Sequence, residues 1–177
     1  AEADTPPKQK WSFAGMFGKF DRGQLQRGFR VYREVCQTCH GISMVAFRNL
    51  ADPGGPGFSS AQAGAVAAEY QVPADPDDQG EVKDRAARLA DRFPPPYKNE
   101  NQARARFNGV PPDLSVIVKA RGYDRGFPYF IFDLFTQYQE QGADYLVALL
   151  VGYADPPKDV TAPPGTMLRR GAAGSPR

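Results

Sequence analysis

The chain has 177 residues, 41% hydrophobic and 24% charged, which is enough apolar sequence to bury a core. Its net charge of +2 is too small, and its basic residues are too dispersed, for a nucleic-acid-binding protein. The longest apolar run, 145–151, is far shorter than the roughly 20 residues that cross a bilayer. We therefore expect a soluble domain without a nucleic-acid partner.

The first residues carry neither the positive start nor the apolar segment of a signal peptide. They are typical of a mature protein whose leader has been removed, and a cytoplasmic start trimmed of Met has the same pattern. We expect residues 1–10 to form a flexible N-terminal segment.

A helix is predicted from about Asp21, which is a typical N-cap residue. Apolar or small residues then recur with helical period and form a stripe. The stripe comprises Leu25, Gly28, Phe29, Tyr32 and Val35.

Both cysteines and the single histidine of the chain follow this helix within five consecutive residues, Cys36 to His40. Their spacing is the C-x-x-C-H pattern of c-type haem attachment. On a helical turn, residues i and i+3 lie on one face, so both thiols can reach the two vinyl groups of one porphyrin. His40 then offers an imidazole nitrogen to the iron. The pattern predicts one covalent haem c, bound through Cys36 and Cys39 with His40 as axial ligand.

Other interpretations of these three residues are weaker. A zinc site needs four ligands, and the chain has no further Cys or His. A thioredoxin-like dithiol is expected near a βαβ pattern, whereas Cys36 follows a long helix. If the two thiols and the histidine had a purely structural role, their match to the five-residue pattern would be a coincidence. A single histidine also excludes bis-histidine ligation within one chain, so a sixth protein ligand would be another residue, most often Met.

The remaining sequence predicts a mainly α fold with long Pro/Gly-rich loops, since alternating strand patterns are scarce. A helix is expected over Ser59–Tyr70, capped by Ser59 or Ser60. A second, highly charged helix is expected over Glu81–Phe93, where the following prolines end it. Loops are expected over 52–57 and 72–80.

Several motifs in fixed order give the chain a definite resemblance to cytochrome c1, the haem subunit of the ubiquinol–cytochrome c oxidoreductase (bc1) complex. The resemblance covers about Trp11 to Met167 and implies a cytochrome c-like haem domain over 11–167. The motifs are Arg27-Gly28, Val31-Tyr32, Val35 to His40, Arg48-Asn49-Leu50, Glu69-Tyr70, Phe93 to Tyr97, Asn108 to Ser115, Ala120-Arg121, Asp144-Tyr145 and Gly152 to Pro157.

The resemblance implies roles that spacing alone does not show. The carbonyl of Pro111 or Pro112 would accept a hydrogen bond from the second ring nitrogen of His40, close to the haem edge. Arg121 would pair with a haem propionate. Further residues expected to line the haem pocket are Asn108, Pro112, Tyr145 and Leu149. Without the resemblance, the prolines would be a turn, Arg121 a solvated charge, and Tyr145 with Leu149 a core pair at i,i+4.

The function implied is electron transfer and not catalysis by this chain alone. The electron would come from a Rieske iron–sulfur protein and pass to a soluble cytochrome c, with cytochrome b as a further subunit of the complex. The compartment would be periplasmic, with membrane association through the complex or an anchor. The enzyme alternative is a five-coordinate haem peroxidase or small-ligand sensor, and a chain that only docks a partner is a third possibility.

Two segments depart from the family pattern. Residues 168–177 are small and basic, and we expect a disordered or non-family tail where family members continue to an axial methionine and a membrane anchor. Met167 is then a weak candidate for the sixth ligand, while Met44 follows His40 too closely and Met16 lacks a surrounding motif. The aromatic-rich stretch 122–142 resembles an insertion, expected to form a capping helix or a docking surface.

Overall fold

In the computed structural model, the residues described are 6–15, 17–122, 128, 131, 141–155 and 168–169. They divide into two compact units. One unit is the continuous segment 19–116, and the other combines 1–18 with 117–177. Each unit is described separately below.

Most regular structure in the described residues is helical, as the sequence predicts. The α-helices are α1 (Arg22–Glu34), α2 (Ser60–Ala68), α3 (Glu100–Phe107), α4 (Ile117–Ala120) and α5 (Gln141–Val151), and 3₁₀ turns cover Cys36–Thr38 and Phe47–Ala51. Strand structure in these residues is limited to two short antiparallel pairs. The first pairs β1 (Gln71–Pro73) with β2 (Asp84–Ala86), and the second pairs β3 (Tyr153–Ala154) with β4 (Leu168–Arg169).

Helix α1 begins where its cap predicts. The Asp21 carboxylate accepts a hydrogen bond from Gln24 N at 2.7 Å, which satisfies one of the unpaired amides of the first turn. The helix ends at Glu34, and Val35 is 65% exposed, so the end of the predicted stripe does not pack. The aromatic part of the stripe does pack, because Phe29 and Tyr32 meet the Phe93 ring at 6.0 and 6.5 Å between centroids.

The core of unit 19–116 is built around two aromatic side chains whose rings are tilted by 39° to one another. Phe47 and Phe93 are fully or almost fully buried, with ring centroids 4.1 Å apart. Tyr70 closes one side at 5.2 Å from Phe47 and 5.4 Å from Phe93. Helix α2 is capped by Ser59, as predicted. It packs on this cluster through two fully buried alanines, Ala63 and Ala67.

The predicted charged helix over Glu81–Phe93 is wrong. Residues Asp84–Ala86 form strand β2 instead, in register with Gln71–Pro73. Arg85 forms a bidentate ion pair with Asp91 at 2.6 and 3.0 Å, and Asp91 also accepts a hydrogen bond from Arg88 N at 2.7 Å. Strand pairing and this ion pair therefore outweigh the helical propensity of the segment.

The second unit joins both ends of the chain through helix α5. Gly142 lies against α4 so closely that a Cβ atom there would stand 1.8 Å from the Val118 carbonyl oxygen. Asp144 is 1% exposed and accepts hydrogen bonds from Gln9 N at 3.0 Å and Trp11 Nε1 at 2.8 Å. A buried carboxylate thus ties Gln9 and Trp11 to α5. The expected flexibility of residues 1–10 remains a prediction.

The capping helix expected within 122–142 falls mostly outside the described residues, as do Met16 and Met167. In the part of the chain that the structure describes, no helix combines the length and hydrophobicity needed to span a bilayer.

Candidate haem site

The two cysteines bracket the 3₁₀ turn after α1, since Cys36 begins it and Cys39 caps it. Backbone amides of Cys39 and His40 both donate to the Cys36 carbonyl oxygen, at 3.1 and 2.8 Å, so the turn is tight. Both thiols are free and half-buried. The motif therefore presents two unused thiols three residues apart, on a turn whose conformation is held by backbone hydrogen bonds.

The imidazole of His40 has one ring nitrogen engaged. His40 Nδ1 lies 2.8 Å from the Pro112 carbonyl oxygen, and because a carbonyl can only accept, Nδ1 carries the proton. Nε2 then keeps its lone pair for a metal. This is the hydrogen bond that the family resemblance implied. It makes His40 a more basic ligand and fixes the plane of its ring.

Two half-buried tyrosines hold the motif, one through its backbone and one through a side chain. Tyr32 OH donates to the His40 carbonyl oxygen at 3.2 Å, and Tyr70 OH donates to Gln37 Oε1 at 2.7 Å. Burial is the main cause that raises the pKa of both phenols, so both remain protonated donors throughout the physiological range. The motif is thus tied to α1 and to the aromatic core.

A second set of hydrogen bonds joins residues 40–44 to residues 112–115, and we call this contact the loop junction. Besides the His40–Pro112 bond, Leu114 N donates to the Gly41 carbonyl oxygen at 2.8 Å, and Met44 N donates to Ser115 Oγ at 3.0 Å. Asp113 accepts from Ser43 N through one oxygen and from Ser115 N through the other, each at 2.8 Å. Burial alone would raise the pKa of Asp113, but hydrogen bonds from Ser115 and Ser43 outweigh it and lower that pKa.

Sequence analysis did not identify Asp113, Ser115, Tyr32 or Tyr70 as parts of the site. For Asp113, the available signal was local, since Asp followed two residues later by Ser is typical of an Asx turn. Its long-range bond to Ser43 has no such signal, because the partners are 70 residues apart.

The predicted pocket residue Asn108 lies in the same unit as His40. It is exposed and caps the end of α3 in the left-handed conformation, with φ of 55°. Asparagine tolerates this conformation better than most residues, so helix termination alone accounts for its presence. A contact with haem remains a prediction.

The other three predicted pocket residues belong to the second unit. Arg121 is exposed in the turn after α4, while Tyr145 and Leu149 are half-buried one turn apart on α5. Their proximity to the haem, and the Arg121–propionate pair, remain predictions.

The geometry fits a covalent haem and no other metal site that we considered. Among the residues described, no group of three or more His, Cys, Asp and Glu side chains is placed to hold a metal ion. Two free thiols at haem spacing and an imidazole with Nε2 available are instead what haem attachment requires. Fold and site together define a c-type cytochrome.

Comparison with known proteins specifies the family. The model of the cytochrome C1 family matches residues 11–175, so the chain belongs to the cytochrome c1 family. The match extends past residue 167 into the segment that we expected to be a non-family tail. Members of this family carry one covalently bound c-type haem, which confirms the predicted cofactor.

Three relatives illustrate the similarity. A protein named cytochrome b/c1 from Bradyrhizobium diazoefficiens is 58% identical over 95% of this chain and 25% of its own length. Cytochrome c1 of Blastochloris viridis is 48% identical over 94% of this chain and 60% of its own. The mitochondrial cytochrome c1 haem protein of Saccharomyces cerevisiae is 40% identical over 90% and 46%. The chain thus spans between a quarter and three fifths of the length of these relatives.

Proposed function

We propose that this chain is an electron carrier, the haem-bearing part of a ubiquinol–cytochrome c oxidoreductase (bc1) complex. The observation that carries the proposal is the placement of His40. Its Nδ1 proton is donated to the Pro112 carbonyl oxygen, which leaves Nε2 for a metal, and the motif that carries it has two free thiols. Membership of the cytochrome c1 family supports the same assignment.

Each residue of the site has a distinct task in this proposal. Cys36 and Cys39 would hold the porphyrin through thioether bonds, and His40 would offer an imidazole nitrogen to the iron. The haem, when bound, supplies reversible one-electron chemistry. Arg121 would balance the charge of a propionate, and Asn108, Pro112, Tyr145 and Leu149 would line the haem.

The partners in the proposal are those of the complex. The donor is a Rieske iron–sulfur protein, the acceptor is a soluble cytochrome c, and cytochrome b is a neighbouring subunit. The names of two relatives, cytochrome b/c1 and cytochrome b-c1 complex catalytic subunit, support this membership. Covalent attachment of haem belongs to an oxidising compartment, so we place the domain on the periplasmic side of the membrane.

Covalent attachment is tested by extraction and mass. After expression with c-type haem maturation, acid–acetone should leave the haem on the protein, and the mass should equal the polypeptide plus one haem. Replacing either Cys36 or Cys39 by Ser should remove one thioether and shift the absorption of the reduced pyridine haemochrome. Thr38→Ala, an exposed position between the two cysteines, is the matched control and should change nothing. Free extraction of haem from the unaltered protein would contradict the proposal.

Electron transfer is tested separately by stopped-flow spectroscopy. The ferric protein should be reduced by a reduced Rieske protein, and the ferrous protein should be reoxidised by ferric cytochrome c. A redox-inactive variant of either partner is the control and should give no such reaction. A high-spin, five-coordinate iron that turns over hydrogen peroxide, without exchange with cytochrome c, would favour the peroxidase or sensor instead.

A further inference from the structure

One member of the loop junction, Asp113, has no proposed contact with the haem but engages both of the loops that carry the haem-binding residues. Asp113 follows Pro112 directly, and its carboxylate reaches across to Ser43, three residues after His40. Its other oxygen accepts from Ser115 N within its own loop. One oxygen of this side chain therefore bridges the two loops, while the other holds the conformation of the 112–115 loop.

The packing around this carboxylate shows that the approach is close. Gly41 is buried, and a Cβ atom there would stand 3.2 Å from Asp113 Oδ2 and 3.6 Å from Pro95 Cα. Any larger residue at position 41 would press on the carboxylate. The Leu114 N to Gly41 O bond at 2.8 Å lies at the same point, so the two backbones are in direct contact there.

Without the Asp113 carboxylate, fewer hydrogen bonds would hold the Pro112 carbonyl in place against His40. The remaining bonds across the junction are single contacts from Leu114 and to Ser115, and the Ser115 loop is itself held by Asp113. A carbonyl in a loop that can shift by a few tenths of an ångström is a poorer acceptor, because hydrogen-bond strength falls steeply with poor geometry.

We propose that Asp113 is a positioning residue for the haem ligand, keeping the Pro112 carbonyl oxygen on His40 Nδ1. Through that bond it strengthens His40 as a donor to the iron and favours the ferric state. The inference rests on the proposed function, since it requires His40 to be the axial ligand.

The variant that tests this is Asp113→Asn, which keeps the shape but replaces one acceptor oxygen by an NH₂ group. That donor would face the backbone N–H of Ser43 or Ser115. Asp113→Asn also removes a negative charge, which raises the reduction potential by itself. Ser115→Ala loosens the same junction without a charge change. Asp77→Asn is the matched charge control, because Asp77 likewise accepts two backbone amides, those of Gln79 and Glu81, in a different loop.

The decisive measurement is the exchange of the His40 Nδ1 proton with D₂O, followed by NMR in the reduced, carbon monoxide-saturated protein. Asp113→Asn should accelerate this exchange about tenfold or more, Ser115→Ala should accelerate it less, and Asp77→Asn should leave it unchanged. The midpoint potential of Asp113→Asn should rise, by up to about tenfold in the ferric–ferrous equilibrium, or about 59 mV for one electron.

Unchanged proton exchange in both junction variants would overturn the proposal, even if the potential rises through loss of charge. Equal acceleration in Asp77→Asn would overturn it as well. If Asp113→Asn does not accumulate with haem, the exchange rate of the His40 Nδ1 proton in Ser115→Ala alone tests the proposal. A wild-type protein without covalent haem would instead contradict the proposed function, so the two failures are distinguishable.

Discussion

At the residue scale, the aspartates of this chain show how hydrogen bonds set the charge state of a carboxyl group. Asp91 accepts from both nitrogens of the Arg85 guanidinium and from Arg88 N. Chiefly through Arg85, these bonds lower the pKa of Asp91 from 3.8 to about 2. The same side chain holds strand β2 to the turn that follows it, so its ionisation is linked to folding.

We predict a contribution of Asp91 to acid stability. Because its pKa is lower in the folded chain, the stabilisation is fully present above the ordinary pKa of 3.8 and is lost as the pH falls towards 2. Asp91→Asn should therefore be less stable at pH 5 and lose less stability between pH 5 and pH 2. Urea unfolding at several pH values measures this. Asp78→Asn, which changes an exposed aspartate of the neighbouring loop, is the control. The prediction would be refuted if the Asp91 variant lost as much unfolding free energy between pH 5 and pH 2 as the wild-type protein.

At the element scale, α1 delivers the haem motif, and its N-cap sets where the helix begins. Asp21→Ala should destabilise the protein by about 1 kcal/mol, since it leaves Gln24 N without its partner. Asp21→Asn retains a capping oxygen and should cost much less. Urea denaturation of the two variants measures the difference. Equal losses would show that the charge of Asp21, or another contact, matters more than the cap.

Elements with local signals were predictable from the sequence, and elements set by distant partners were not. Helices α1 and α2 were predicted because Asp21 and Ser59 cap them through bonds three residues away. The Glu81–Phe93 prediction failed because β2 is defined by pairing with Gln71–Pro73, which helical propensity does not reveal.

The same division holds for the site. Cys36, Cys39 and His40 are a local pattern and were found directly. The His40–Pro112 bond was expected only through family resemblance, because its partners are 72 residues apart. Asp113 was missed, since nothing in its local sequence indicates that it reaches Ser43.

At the scale of the whole molecule, the buried Asp144 connects parts of the chain that are far apart in sequence. It accepts hydrogen bonds from Gln9 and Trp11, which precede it by 135 and 133 residues. Asp144→Ala should leave Gln9 N and Trp11 Nε1 without an acceptor and destabilise the protein by about 2 kcal/mol or more. Urea unfolding measures this, and Trp11 fluorescence should shift towards that of a solvated indole.

Asp155→Ala, an exposed aspartate of the same unit, is the control and should change neither quantity. An Asp144 variant with wild-type stability and fluorescence would show that the N-terminal segment is held by other contacts.

The interleaving of the two units has a consequence for the order in which the protein is made. Unit 19–116 is one continuous segment, so the thiols, His40, Pro112 and Asp113 have all been synthesised before α5. The unit formed by both chain ends must wait, because Gln9 and Trp11 precede their partner Asp144 by more than 130 residues. At roughly 5–20 residues per second, the residues of the loop junction are complete a few seconds before Asp144 is made.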